Sequence, residues 1–151
     1  MTTAELPSGL AEVLAGIQRL VRRRVRRDVA GPRLRGAQTE LLALVAERPG
    51  IGVSAAAKEL YLAGNSVSTL VNQLTAAGLL SRGTDPGDRR SALLRPTADG
   101  LARLADWRAR RGELVARQVA AMSGADQALL AAALPALRRL AQRLHEEVEG
   151  T

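Results

Sequence analysis

The chain has 151 residues, about one ordinary domain, with 46% apolar and 25% charged residues, a balance that excludes a disordered chain. Cysteine is absent and His145 is the single histidine, which excludes disulfides, thiolate zinc sites, cysteine nucleophiles and multi-histidine metal centres. The net charge of +7 is carried almost wholly by arginine, with Lys58 the only lysine; a guanidinium is weakly hydrated and presents a planar fork of donors, so the charge favours phosphate-bearing partners, although a solvated arginine-rich surface would give the same count.

The N-terminal stretch carries Glu5 and Glu12 and no basic start, so it does not read as a secretory signal. The longest apolar run, residues 128–137, is too short to span a bilayer and contains Pro135. A soluble, cytoplasmic protein without membrane contact is expected. Tyr61 and Trp107 are the only aromatic residues. Single-strand and RNA modules stack unpaired bases on aromatic platforms, so duplex DNA is the favoured nucleic acid.

Leu10, Val13, Leu14, Ile17, Val21 and Val25 recur at helical spacing and predict a first helix over 10–25. Its end is basic, with Arg22, Arg23, Arg24, Arg26 and Arg27, and Gly31-Pro32 should stop it. These arginines suit phosphates flanking a DNA site and equally suit a solvated helix end favoured by the dipole. A second helix is expected over 36–46, closed by Pro49-Gly50. A third, short one is expected after Ser54 as N-cap, ending near Tyr61, with a turn at 62–64. A fourth should run over 65–77 and stop at Gly78.

Two short apolar segments follow, 79–80 and 92–94, separated by a charged string in which Pro86-Gly87 suits the centre of a type II turn. This predicts a β-hairpin. Thr97 then caps a long helix, Ser123 and Asp126 form a capping-box pattern, and a last helix contains Pro135, which should kink it or mark a later start.

On a helical wheel of about 100° per residue, Val67, Leu70, Val71 and Leu74 fall on one side of the fourth helix. Asn65, Thr69 and Asn72 point the other way, flanked by Ser66, Ser68 and Gln73, with no charge from Gly64 to Ser81. A surface helix ordinarily carries charge outside. A short-chained, uncharged face can press against base edges, where asparagine and glutamine read adenine bidentately. The third and fourth helices then form a helix-turn-helix and the hairpin a wing, whose Arg89 and Arg90 suit a narrow minor groove, with Asp88 placed to hold a guanidinium.

Residues 53–60 (VSAAAKEL), 65–74 (NSVSTLVNQL), 77–82 (AGLLSR), 85–90 (DPGDRR) and 97–100 (TADG) together resemble the MarR family of winged-helix transcription regulators, and the resemblance is densest from Leu34 to Gly100. It implies a mainly α fold with a small β-hairpin wing in one domain over 1–151. The winged helix-turn-helix lobe would occupy 34–97, flanked by dimerisation helices over 6–30 and 98–149. It further implies a recognition helix over 65–77 in the major groove, a wing over 82–94 in the minor groove, Asp88 and Arg90 as the wing pair, and Arg89 as a second contact. Arg35, Ser54, Asn65, Ser66, Ser68, Thr69, Asn72 and Arg82 complete the expected DNA contacts. A cleft for a small aromatic or phenolic effector is also implied, with Trp107 and Tyr61 the only aromatic candidates for its wall. The chain departs from the family pattern at Tyr61, where a small turn residue is usual, and at Ala56, Thr69, Arg35 and Pro96.

A homodimer is expected on physical grounds too. Leu130, Leu137 and Leu144 repeat every seven residues, with Leu134, Ala141 and Val148 between them, a packing seam for helices that a second subunit would cover, with packing inside one chain the alternative. The expected function is a homodimeric repressor on a palindromic operator, released by a small effector. An architectural DNA binder without sequence preference is the alternative. An enzyme is not expected: Asp85 and Asp88 are the only close loop carboxylates, and no nucleophile–base set accompanies them. No catalytic residue, metal or cofactor is assigned.

Overall fold

The computed structural model describes residues 4–28, 34–87 and 92–150. Backbone contacts gather the chain into two compact units, Met1–Gly112 and Glu113–Thr151. The first unit holds α1 (Leu6–Asp28), α2 (Gly36–Glu47), β1 (Ile51–Gly52), α3 (Val53–Leu60), α4 (Gly64–Ala76), β2 (Leu80–Thr84), β3 (Ala92–Pro96) and the opening of α5 (Ala98–Ala120). The second holds the end of α5 and α6 (Gly124–Glu149).

With no phenylalanine available, the core is built from leucine, valine and alanine. Leu41, Leu42 and Val45 of α2 meet Val67, Val71 and Leu74 of α4, with Leu80, Leu94 and Leu104 closing the cluster, all nearly or fully buried. Ala56 is fully buried and Ala57 nearly so, and Val53 and Leu60 pack partly buried against the same cluster, so α3 meets it with small and aliphatic side chains. No polar or charged side chain is buried among the described residues.

The hairpin is part of a three-stranded antiparallel sheet of order β1-β3-β2, in which Ile51 faces Leu94 and Leu80 faces Pro96. β1 was not anticipated, because a two-residue strand has no alternation to read and exists only by pairing with residues some forty positions away. Its presence also corrects the start of α3. The strand runs straight into the helix, Gly52 takes the extended N-cap conformation (φ −79, ψ 160), and Ser54 lies inside the first turn rather than capping it.

Three further expectations change in detail. Gly64 opens α4 instead of belonging to the preceding turn. Gly87 does not adopt the positive φ that a type II turn demands; the Asp85 carboxylate accepts a bond from the Gly87 N–H at 2.9 Å, an Asx turn. α6 starts at Gly124 and continues through Pro135 as one helix, so no later start is seen. The Gly31-Pro32 stop lies outside the described residues.

In the second unit, the Ser123 hydroxyl accepts from the Asp126 N–H at 3.1 Å and donates to the Asp126 carboxylate at 2.7 Å. The N-cap predicted for α6 therefore forms, with the hydroxyl rather than the backbone N–H returning the bond.

Candidate nucleic-acid interface

The turn between α3 and α4 is set by one unusual residue. Tyr61 has φ 53 and ψ 41, the left-handed conformation that glycine normally takes at a helix end. Its N–H donates to the Lys58 carbonyl and the Leu62 N–H to the Ala57 carbonyl, which closes a complete Schellman motif. The same pair of bonds recurs at the end of α4 around Gly78 (φ 74), from Gly78 to Thr75 and from Leu79 to Leu74. Thr97 then ties the end of α4 to the start of α5: its hydroxyl donates to the Gly78 carbonyl at 2.6 Å and accepts from the Gly100 N–H at 3.0 Å.

Within this frame α4 turns Val67, Val71 and Leu74 wholly inward. Asn65, Ser66, Thr69 and Asn72 are exposed, and Ser68 is half-buried. The Thr69 hydroxyl donates back to the Asn65 carbonyl at 3.0 Å, and the Asn65 side-chain oxygen accepts from the Ser66 N–H at 2.8 Å. Arg82, on β2, donates through Nη2 to Asn72 Oδ1, so the base of the hairpin and the exposed face of α4 form one surface. Gln73 accepts a 2.9 Å bond from Gln38 of α2, a contact that sequence reasoning missed because nothing local links two glutamines 35 positions apart. Ser54 is exposed on α3, and Arg35 is exposed at the N-cap of α2. Arg35's own N–H donates to Gln38 Oε1 at 2.7 Å. Asp88, Arg89 and Arg90 lie outside the described residues.

A profile of the MarR family matches residues 34–91, the stretch that contains this helix-turn-helix and the first strand of the hairpin. Over that stretch the chain is similar to MarR-family regulators. It is 38% identical, over 65 residues, to a protein of Thauera aromatica assigned as the transcriptional regulatory protein for the hcr operon; the match spans 43% of this chain and 39% of that relative's length. A protein of Pseudomonas aeruginosa PA01 assigned as a transcriptional regulator is 28% identical, with 94% of this chain and 99% of that one aligned at a TM-score of 0.74. The PcaV transcriptional regulator of Streptomyces coelicolor, solved with its natural ligand, is 25% identical, with 94% and 96% aligned at a TM-score of 0.61. The first unit thus has a winged helix-turn-helix fold like that of MarR-family regulators.

The first unit also carries a narrow cleft between the end of α1, the start of α2 and the first turns of α5. Leu34, Leu42, Leu104 and Trp107 supply its apolar wall, and Arg22, Arg26 and Arg103 its charge. Arg22 reaches across to Glu40 at 2.7 Å and lies so close to Gly36 that a Cβ there would stand 2.7 Å from Nη1. The Arg111 guanidinium sits over the Trp107 ring, 4.5 Å from its centroid. Of the two aromatic candidates for an effector wall, Trp107 lines this cleft; Tyr61 is instead exposed at the α3–α4 turn. Arg22 and Arg26 were legible only as part of a charge run, because their meeting with α2 and α5 is a tertiary fact. Among the described residues no helix is long and apolar enough to cross a membrane, and no group of side chains suits a metal ion.

Proposed function

We propose that the protein is a homodimeric, sequence-specific repressor that inserts residues 65–77 into the major groove and the 82–94 hairpin into the adjacent minor groove. The observation that carries this reading is the split of α4 into a fully buried Val67, Val71 and Leu74 and an exposed, uncharged Asn65, Thr69 and Asn72, directly followed by the hairpin. Affinity comes chiefly from phosphates, through the net charge of +7. Sequence is read by α4, and an A/T-rich minor groove by Arg90 with Arg89 and Asp88 beside it. Arg35, Ser54, Ser66, Ser68 and Arg82 border the same face.

Exposed apolar side chains support the dimer: Val13, Leu14, Ile17 and Leu20 on α1, and Leu130, Leu134, Leu144 and Val148 on α6. A two-fold arrangement spaces the two recognition helices by roughly 34–36 Å, one DNA turn, and requires a palindromic operator. The cleft beside Trp107 suits a small aromatic anion, whose ring meets leucine and indole while its carboxylate meets arginine. Binding there releases DNA by favouring a dimer with wrongly spaced helices. Such a protein works in the cytoplasm.

Selection from random duplexes is the test. A palindromic motif, bound with an affinity that falls steeply with salt, is expected; a flat profile instead establishes an architectural binder. Titration with benzoate or hydroxybenzoates should quench Trp107, the single tryptophan, and release the duplex. Quenching without release would remove the regulatory role of the cleft.

A further inference from the structure

Three amide side chains lie on the exposed part of α4: Asn65, Asn72 and Gln73. Each has its oxygen engaged within the protein. At Asn72 the assignment follows from chemistry alone. A guanidinium only donates, so the amide atom facing Arg82 Nη2 must be the oxygen, and the amino group is turned away from it. At Gln73 the argument takes two steps. Gln38 Oε1 accepts from the Arg35 backbone N–H at 2.7 Å, which fixes the orientation of the Gln38 amide. Its amino group then faces Gln73 at 2.9 Å, and only an oxygen can meet it there. At Asn65 the oxygen accepts from the Ser66 N–H.

The consequence concerns which base such a face can read. Bidentate recognition of adenine needs an amide to offer an oxygen to N6 and an amino group to N7 side by side. With the Arg82 guanidinium standing in front of the Asn72 oxygen, an incoming base meets N–H groups from both residues. Guanine is the base that places two acceptors, O6 and N7, next to each other in the major groove. We propose that Asn72 and Arg82 act as one donor-only reading unit that selects guanine, in place of the adenine expected of an isolated asparagine. Arg82 sets the specificity by fixing which end of Asn72 faces the DNA. The proposal rests on α4 lying in the major groove.

The test is selection from random duplexes with the full-length protein and three variants. Asn72→Ala identifies the position that Asn72 reads, as the one whose preference it erases. In the unaltered protein that position should be guanine, preferred over adenine by about ten-fold or more. Arg82→Met frees the Asn72 oxygen and should move the preference at that position toward adenine. Arg82→Lys keeps a donor in front of the oxygen and should keep guanine. Adenine in the unaltered protein, an Asn72→Ala profile with no altered position, or a guanine preference indifferent to Arg82→Met would each overturn the proposal while leaving the regulator reading standing. A flat profile from the unaltered protein would instead overturn that reading itself, and the proposal with it.

Discussion

Two residues carry backbone demands that their side chains meet very differently. Tyr61 and Gly78 occupy the same left-handed position of the same Schellman motif, one at the end of α3 and one at the end of α4. A side chain there costs about 1–2 kcal/mol, and glycine removes that cost at a smaller loss of unfolded-chain entropy. Tyr61 is 56% exposed, so little packing is forfeited on removing it. Tyr61→Gly should therefore raise stability by about 0.5–1 kcal/mol, and Gly78→Ala should lower it by about 1 kcal/mol, both read from urea midpoints. A destabilised Tyr61→Gly would show that the ring does more than fill the turn. Gly100 answers a different demand. A Cβ there would stand 2.1 Å from the Leu79 carbonyl oxygen, and backbone cannot step aside as a flexible side chain can. Gly100→Ala should cost about 3 kcal/mol or more by pushing the start of α5 away from Leu79, and a melting temperature near that of the unaltered protein would refute the close approach. The sequence marks Tyr61 as a departure from a turn-friendly residue, and Thr97-Ala-Asp-Gly100 as a motif. That Gly100 is needed against Leu79 depends on the fold.

The elements divide by whether their cause is local. α2 and α4 were readable to within a residue or two, because apolar periodicity and a terminal glycine act inside one segment. β1 and the Gln38–Gln73 bond were not, since each depends on where another part of the chain arrives. Thr97 belongs to both kinds. Its capping bond to Gly100 is local and was expected, while its 2.6 Å bond to the Gly78 carbonyl joins the end of α4 to the start of α5. That second bond fixes how α4 meets the helix that follows the hairpin. Thr97→Val keeps the shape and removes both bonds. It should cost about 1–2 kcal/mol in denaturant unfolding, with Thr97→Ser recovering most of the loss. It should also weaken operator binding by more than the stability change predicts, because α4 loses an anchor at its C-terminal end. Operator affinity equal to that of the unaltered protein would confine Thr97 to a stability role.

Across the whole molecule, charge and apolar surface make separate demands. The +7 net charge opposes self-association, yet α6 leaves Leu130, Leu134, Leu144 and Val148 between 43% and 54% exposed, and α1 adds Val13, Leu14, Ile17 and Leu20. Burying such a side chain is worth about 1.5–3 kcal/mol, and a two-fold axis counts every change twice. Leu130→Arg with Leu144→Arg removes four apolar contacts from a dimer and sets four like charges into an apolar seam. Both positions are exposed within the single chain, so the fold itself loses little. Sedimentation should show the dimer of the unaltered protein giving way to monomer in the double variant, with an unchanged circular-dichroism spectrum. Operator affinity should fall by at least 100-fold, since one recognition helix holds only half the palindrome and the advantage of tethering the second site is lost. Binding of a single half-site should persist with about half the salt dependence, because half as many phosphates are neutralised. A double variant that stays dimeric would place the seam elsewhere than on α6. One that becomes monomeric but keeps full operator affinity would show that the two helices do not read the DNA together.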